Sequence, residues 1–533
     1  MKVNSTKFSL ISSLRQLTRE KWALGATILS GKMLGLLAVL AVMVTLPGLV
    51  GSSAHAAAAA PPKPTDLETS MMNSINTAWT LVAAFLVFGM QAGFVMLEAG
   101  FARKRETVNV LMECMFDTCL CGILFYAIGY SFMFSEGNGF IGYHWFFLQG
   151  TPATYETTGI PVIAHWIFQY AFADTCSTVV SGAMIGRTSF RGDILYSIGI
   201  TGFIYPIIGH WAWGPDGWLA LMGSAGHFFT SLGQGFRDFA GSTVVHTIGG
   251  VASLAGAIVL GPRLGRIFAR DNKEKGGMPA GHNMLMAAVG TFILWFGWYG
   301  FNPGSSLSAM DAQGIGRIAT NTTLAACSGG MVAMIAALWW GNTKGKFDLG
   351  FTLNGTLGGL VAITCPCYWV SPLGATILGG VAGLVVFGGM YLLEWFRIDD
   401  PVGAVSVHGF AGIWGTLSLG LFASGDYGIT GPTGPDNSAA NIVKGLFYGG
   451  DASVLKAQAI GTFTIAIAVF VVTFIMMFII NKLPYPWKLR VEEHGELGLG
   501  GLDVFDHGIE VYPAQDDDIS LSGLFEKPAT VSA

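Results

Sequence analysis

The sequence predicts an all-α polytopic membrane protein with eleven transmembrane helices, an inverted 5+5 pseudo-symmetric repeat plus one extra helix. Three observations lead there. The chain is 52% hydrophobic, has a mean hydropathy of +0.55 and is only 11% charged, whereas soluble domains are about a quarter charged. About eleven apolar segments approach the ~20 residues a helix needs to span a bilayer. Finally, two stretches read alike: residues 238–246 (DFAGSTVVH) and 400–408 (DPVGAVSVH) each place an aspartate eight residues before a Val-His pair. A repeated element in two halves of a membrane chain suggests a pseudo-symmetric transporter with its site at the repeat interface.

Residues 1–56 read as a secretory signal. Lys2, Lys7, Arg15, Arg19, Lys21 and Lys32 precede an apolar run at 33–50, and Ala54-His55-Ala56 supplies a small-residue cleavage site. The basic region is long, so an uncleaved anchor stays open; it would add a span without inverting the rest. Residues 57–71 read as an exposed linker. The apolar segments then fall at 77–99, 107–134, 160–186, 193–213, 240–262, 282–302, 315–341, 349–367, 372–395, 402–424 and 457–482. They are continuous rather than alternating, which argues for helices over strands. The transmembrane domain is therefore 72–482, with halves at about 77–262 and 282–424 and an eleventh helix at 457–482.

The loops set the orientation. Basic residues gather after the first span (Arg103, Lys104, Arg105), the third (Arg187, Arg191), the fifth (Arg263, Arg266, Arg270, Lys273, Lys275) and the seventh (Lys344, Lys346). The segment 135–159 has none, and 214–239 has only Arg237. By the positive-inside rule the mature N-terminus is outside and the tail at 483–533 is cytoplasmic, in a cell (inner) membrane. That tail is polar and ends beyond Gln515 in a stretch expected to be flexible.

Composition excludes several classes. A net charge of −5 with no basic stripe or zinc spacing gives no reason to expect nucleic acid. No nucleophile–base set or phosphate-binding loop points to an enzyme, and no cofactor is implied. The seven cysteines form no disulfide framework. Cys114, Cys119, Cys121 and Cys176 fall in apolar spans, while Cys365-Pro-Cys367 allows packing or a metal or redox role.

His246 and His408 lie in the fifth and tenth spans, which inverted halves would bring face to face. Paired imidazoles in a narrow apolar passage can exchange hydrogen bonds and relay a proton, and ionisable groups at that depth usually mark a transport path. Two histidines that merely bridge helices would look the same in sequence. Asp238 and Asp400 start their spans, where a carboxylate caps orphan amides; direct cation binding by Asp238 is the other reading. Aromatic residues collect near predicted outer ends, with Tyr205, Trp211 and Trp213 in YPIIGHWAW and Trp298 to Phe301 in GWYGFNPGS. Such rings populate the ordinary interfacial belt, but a ring over a small mouth also attracts a desolvating cation. Ser305 adds a hydroxyl acceptor there.

Taken together, GHWAW, DFAGSTVVH, LWFGWYGFNPGS and DDPVGAVSVHG resemble the ammonium transporter (Amt/Mep/Rh) family on its Amt side, over nearly all of residues 72–510. The resemblance implies eleven spans, a homotrimer and one pore per protomer. Residue by residue, Trp213, Phe172 and Ser305 match the external cation site, Phe301 one phenylalanine of the outer gate, and Trp298 a ring below it. His246 and His408 match the twin histidines. Asp238 matches the essential acid below the vestibule, Asp400 its counterpart, and Tyr205 a supporting residue. Gly501, Leu502 and Asp503, followed by His507-Gly508, resemble a regulatory tail motif that couples protomers and responds to PII-type proteins.

The departures are specific. The second gate phenylalanine falls on Cys176, with Asp174 an extra acid nearby that either faces the pore or sits between helices. Glu113 and Asp117 form a further buried acidic pair expected at a helix contact. Gly186 stands where a glutamate is expected, and Glu106 where an asparagine is. The implied function is recruitment of NH4+ at an aromatic site, deprotonation, and conduction of NH3 past the histidines. The alternatives are an ammonium sensor or transceptor signalling through the tail, and an Rh-like neutral gas channel.

Overall fold

The computed structural model describes residues 65–512 apart from 225, 230, 231, 233, 273, 344, 439 and 440. The expected signal segment, most of the linker, Lys273, Lys344 and the end of the tail lie outside these residues. In chain order the main helices are α1 (Asp66–Phe101), α2 (Lys104–Phe134), α3 (Val162–Gly182), α4 (Phe190–Trp213), α5 (Ser242–Leu260) and α6 (Met284–Ser306). They continue with α7 (Ala312–Trp340), α8 (Leu349–Ile363), α9 (Pro372–Phe396), α10 (Val405–Phe422) and α11 (Ser453–Ile480). Two short helices follow, α12 (Glu493–Leu497) and α13 (Gly501–His507). Two small hairpins, at 137–142 and 429–436, are the named strands among the described residues.

Nine helices among the described residues are long and apolar enough to cross a membrane. The other two expected spans are also helical but differ in kind. α3 runs for 21 residues, nearly all buried, and carries His165, Gln169 and Asp174. α8 has only 15 residues, because the expected 349–367 run turns after Ile363. The expected linker also ends early. A capping box at Thr65, whose N–H donates to Glu68 Oε2 at 2.7 Å, starts α1 at Asp66 rather than beyond 71.

α6 packs along α1, α7 packs on α8 and α9, and α5 packs on α10 and α11. The α5–α10 crossing is very close. A Cβ at Gly250 would lie 2.0 Å from the Gly409 nitrogen, so no larger residue fits without moving a helix. Along α11, Phe463, Ile467, Val471 and Ile475 point outward, the placement that suits lipid rather than water.

The basic loops and the tail meet on one face, called here the basic face. Val491 N–H donates to the Arg187 carbonyl at 3.0 Å, and the Arg490 guanidinium donates to the Leu260 carbonyl at 2.6 Å. Arg187 donates to the Asp399 carbonyl at 2.6 Å, and Arg263 grips the Asp399 carboxylate through bonds of 2.8 and 3.0 Å. Burial alone would raise that carboxyl; the hydrogen bonds from Arg263 and the charge of Arg187 hold it well below the carboxylate range.

Candidate functional site

Both repeats build their polar turn alike. Gly241 (φ +110°) and Gly403 (φ +85°) adopt the left-handed region that favours glycine. The chain thereby folds back so that the aspartate three residues earlier reaches the new helix. Asp238 accepts N–H bonds from Gly241 at 3.0 Å, Thr243 at 2.9 Å and Val244 at 2.8 Å. Asp400 accepts from Gly403 and Ala404 at 3.0 Å each and from Val405 at 2.9 Å. Burial pushes both carboxyls up to about 6, against the pull of these donors.

Each helix then begins with a π-helical turn, Ser242–Thr247 in one half and Val405–Phe410 in the other. Such wide turns recur at functional sites. Here they carry His246 and His408, whose Nδ1 atoms stand 3.2 Å apart. One nitrogen must donate and the other accept, so the pair holds a proton between two buried rings. His246 Nε2 has no partner among the described residues.

A line of rings leads to this pair. Trp213 lies 6.1 Å from Phe172, and Phe172 stacks on Phe301 at 4.1 Å between centroids. His246 follows, 5.3 Å from Phe301 and 5.2 Å from both Trp298 and His408. Phe94 flanks the pair, 6.5 Å from His408. Phe172, Phe301, Trp298 and both histidines are buried, while Trp213 and Ser305 are half-buried. Trp213 Nε1 donates to the Asp238 carbonyl at 2.8 Å, which ties the outermost ring to the capped turn. Ser305 Oγ donates to the Phe301 carbonyl at 2.8 Å. Trp298 Nε1 donates to Thr364 Oγ1 at 2.9 Å, a positioning contact with no signal in the sequence. Tyr205 is buried in α4 and makes no ring contact with this line among the described residues.

One expectation needs correction. Cys176 does not leave a phenylalanine missing opposite Phe301, because Phe172, one helical turn earlier on α3, supplies that ring. Cys176 is itself buried. Asp174 is also buried, beside the side chains of Thr118 and Gln91. Glu113 and Asp117 lie between helices, where Asp193 of α4, which the sequence reading did not single out, joins them.

The two departures on the basic face explain each other. A Cβ on Gly186 would meet the Glu106 carboxylate at 2.5 Å, so Glu106 fills the space that a side chain at 186 would take. Glu106 pairs there with Arg103, which also donates to the Gly186 carbonyl at 3.2 Å. Nearby, the tail closes on α2: Asp503 accepts the Asn109 N–H at 2.9 Å, and His507 Nε2 lies 2.9 Å from Asn109 Oδ1. Gly501 and Leu502 are buried beside it. Cys365 and Cys367 are buried thiols donating to the carbonyls of Arg237 (3.2 Å) and Thr364 (3.5 Å), which is packing chemistry.

A multi-pass helical bundle with paired histidines at the end of a ring-lined line defines a membrane transport protein rather than an enzyme. Residues 78–512 match the model of the Ammonium Transporter Family. The chain is 39% identical over 444 residues to the ammonium transporter Amt2 of Archaeoglobus fulgidus, covering 82% of this chain and 88% of that one. It is 40% identical over 442 residues to the putative ammonium transporter sll1017 of Synechocystis, with the same coverage. Among solved structures it resembles a Sensor Amt Protein (TM-score 0.70, 32% identity, covering 82% of this chain and 99% of that one). Mep2 of Saccharomyces cerevisiae is also similar (TM-score 0.67, 27% identity, covering 78% and 90%). The chain belongs to the ammonium transporter family, on its Amt side.

Proposed function

We propose that this ammonium transporter recruits NH4+ beside Trp213, strips its proton at the Phe172–Phe301 stack and conducts NH3 past His246 and His408. The observation that carries the reading is the unbroken line of rings ending in two imidazoles 3.2 Å apart. A ring face holds a desolvating cation by about 1–2 kcal/mol. Beyond the stack the path is buried among aromatic and imidazole rings, and a bare charge there costs far more than that attraction returns. Ammonium escapes the penalty by losing a proton. Potassium has none to lose, so it is refused. The histidine pair offers the released proton a hydrogen-bonded route beside the ammonia.

Within the same reading, the basic face is cytoplasmic and the protein is a homotrimer of the cell membrane. The segment at 1–56 acts as a secretory signal, and the docked tail is where a PII-type protein would act. The test is charge movement in proteoliposomes after an ammonium jump, comparing the parent with a His246→Ala, His408→Ala double variant. A saturable current that the double variant loses supports the mechanism. Flux without current replaces it with neutral gas conduction, and binding with neither replaces it with sensing.

A further inference from the structure

On the basic face a cavity of about 230 Å³ opens between α1, α6, α8, α9 and the turn that starts α10. Asp400, Asp348 and Asn354 line it, with Phe101, Phe351 and Met390. Glu394 and Arg266 also reach it but pair with each other. Among the described residues neither Asp348 nor Asp400 makes an ion pair, although Arg187 lies near enough to Asp400 to act on its charge. A carboxylate offers about four lone-pair sites. Asp348 uses one to cap α8 through the Phe351 N–H at 3.0 Å, and Asp400 uses three on its own turn.

The amide of Asn354 is the telling group. The residue is 1% exposed, and its nitrogen faces the Met390 sulfur at 3.9 Å. Its carbonyl oxygen Oδ1 has no partner among the described residues. A buried acceptor left unsatisfied is costly, and a donor that reaches it from the cavity would remove that cost. Gly403 makes room for the amide, since a Cβ there would stand 2.9 Å from Asn354 Nδ2.

Acceptor oxygens, two carboxylates, aromatic faces and a thioether select a small cation that carries several N–H donors. The opposite mouth has a comparable cavity of about 250 Å³ containing Asp238, but Arg237 lines that one as well. We propose that the Asp400 cavity is a second binding site for ammonium or methylammonium, at the basic-face mouth of the passage. The site sits eight residues from His408 along the chain. Its occupation from that side retards uptake from the other. The proposal rests on the transport reading only in taking the transported ion as its occupant.

The test uses sealed vesicles that present the Asp400 mouth to the lumen. Uptake of labelled methylammonium is measured with increasing unlabelled methylammonium inside, for the parent and for Asn354→Leu and Asp348→Asn. The asparagine at 348 keeps the cap on α8 while removing the charge. Lumenal methylammonium should slow the parent, and the concentration that halves uptake should rise about tenfold in each variant, the loss of one hydrogen bond to a charged group. Inhibition that is absent in the parent, or equal in all three proteins, overturns the site. If the parent carries no flux at all, the transport reading fails instead. Equilibrium binding of the label to purified protein then decides the site, which requires a binding class that both variants lose.

Discussion

At the scale of single residues, the two aspartates matter most because each holds three amides at once. Asp238 gathers the N–H groups of Gly241, Thr243 and Val244, all buried around it. Removing the carboxylate leaves three donors without acceptors in an apolar setting. One lost helix cap costs about 0.5–2 kcal/mol, and stranded buried donors add to that. Asp238→Ala should therefore destabilise the protein by at least about 2 kcal/mol and lower transport. Trp213 would move too, because its indole hangs from the Asp238 carbonyl. Thermal unfolding in detergent checks this, and a variant that melts with the parent would show that the cap is dispensable. Both aspartates were legible from their spacing to the histidines. Thr364 was not, because nothing local marks a threonine that meets a tryptophan 66 residues away.

At the scale of elements, the α5–α10 crossing sets the distance between the histidines. Gly250 and Gly409 touch directly beyond the imidazole pair, so a side chain there acts as a wedge. Gly250→Leu should cost about 1–3 kcal/mol or more from overpacking and separate the rings, abolishing methylammonium uptake. Gly388→Ala is the control. Nothing lies within 4 Å of a Cβ at that position in α9, so it should be neutral or stabilise by about 0.5–1 kcal/mol. If both variants unfold alike, the crossing is not the constraint. Composition and periodicity made these helices legible, but the level of a residue along its helix was less so. Positions 172 and 176 share one face of α3, and only the packed partner shows that the ring facing Phe301 is at 172. The start of α1 carried a readable Thr65-x-x-Glu68 capping pattern, yet the alanine- and proline-rich stretch before it reads as linker. The exchange between Gly186 and Glu106 needed space as well as sequence, because each departure makes sense only against the other.

At the scale of the whole molecule, the tail joins loops from separate parts of the chain, and its docking should depend on pH in a defined direction. His507 of α13 lies against Asn109 and the Phe190 ring, with Asp503, Asp506 and Arg191 around it. Burial lowers its pKa from the ordinary 6.5, against the pull of Asp506 and Asp503. A docked His507 thus resists a proton that a released tail accepts, so docking weakens as pH falls through the ordinary histidine range. Burial raises Asp503 and Asp506, and these act in the opposite sense. Their contribution returns only as pH approaches the carboxylate range, so histidine governs from about pH 7.5 to about 6. Amide hydrogen exchange across residues 501–508, corrected for the intrinsic rate, should accelerate about threefold over that interval. In His507→Gln the amide keeps a donor for Asn109 Oδ1 but cannot titrate, so the acceleration should vanish while docking persists at neutral pH. Equal acceleration in parent and variant would place the pH response elsewhere in the molecule.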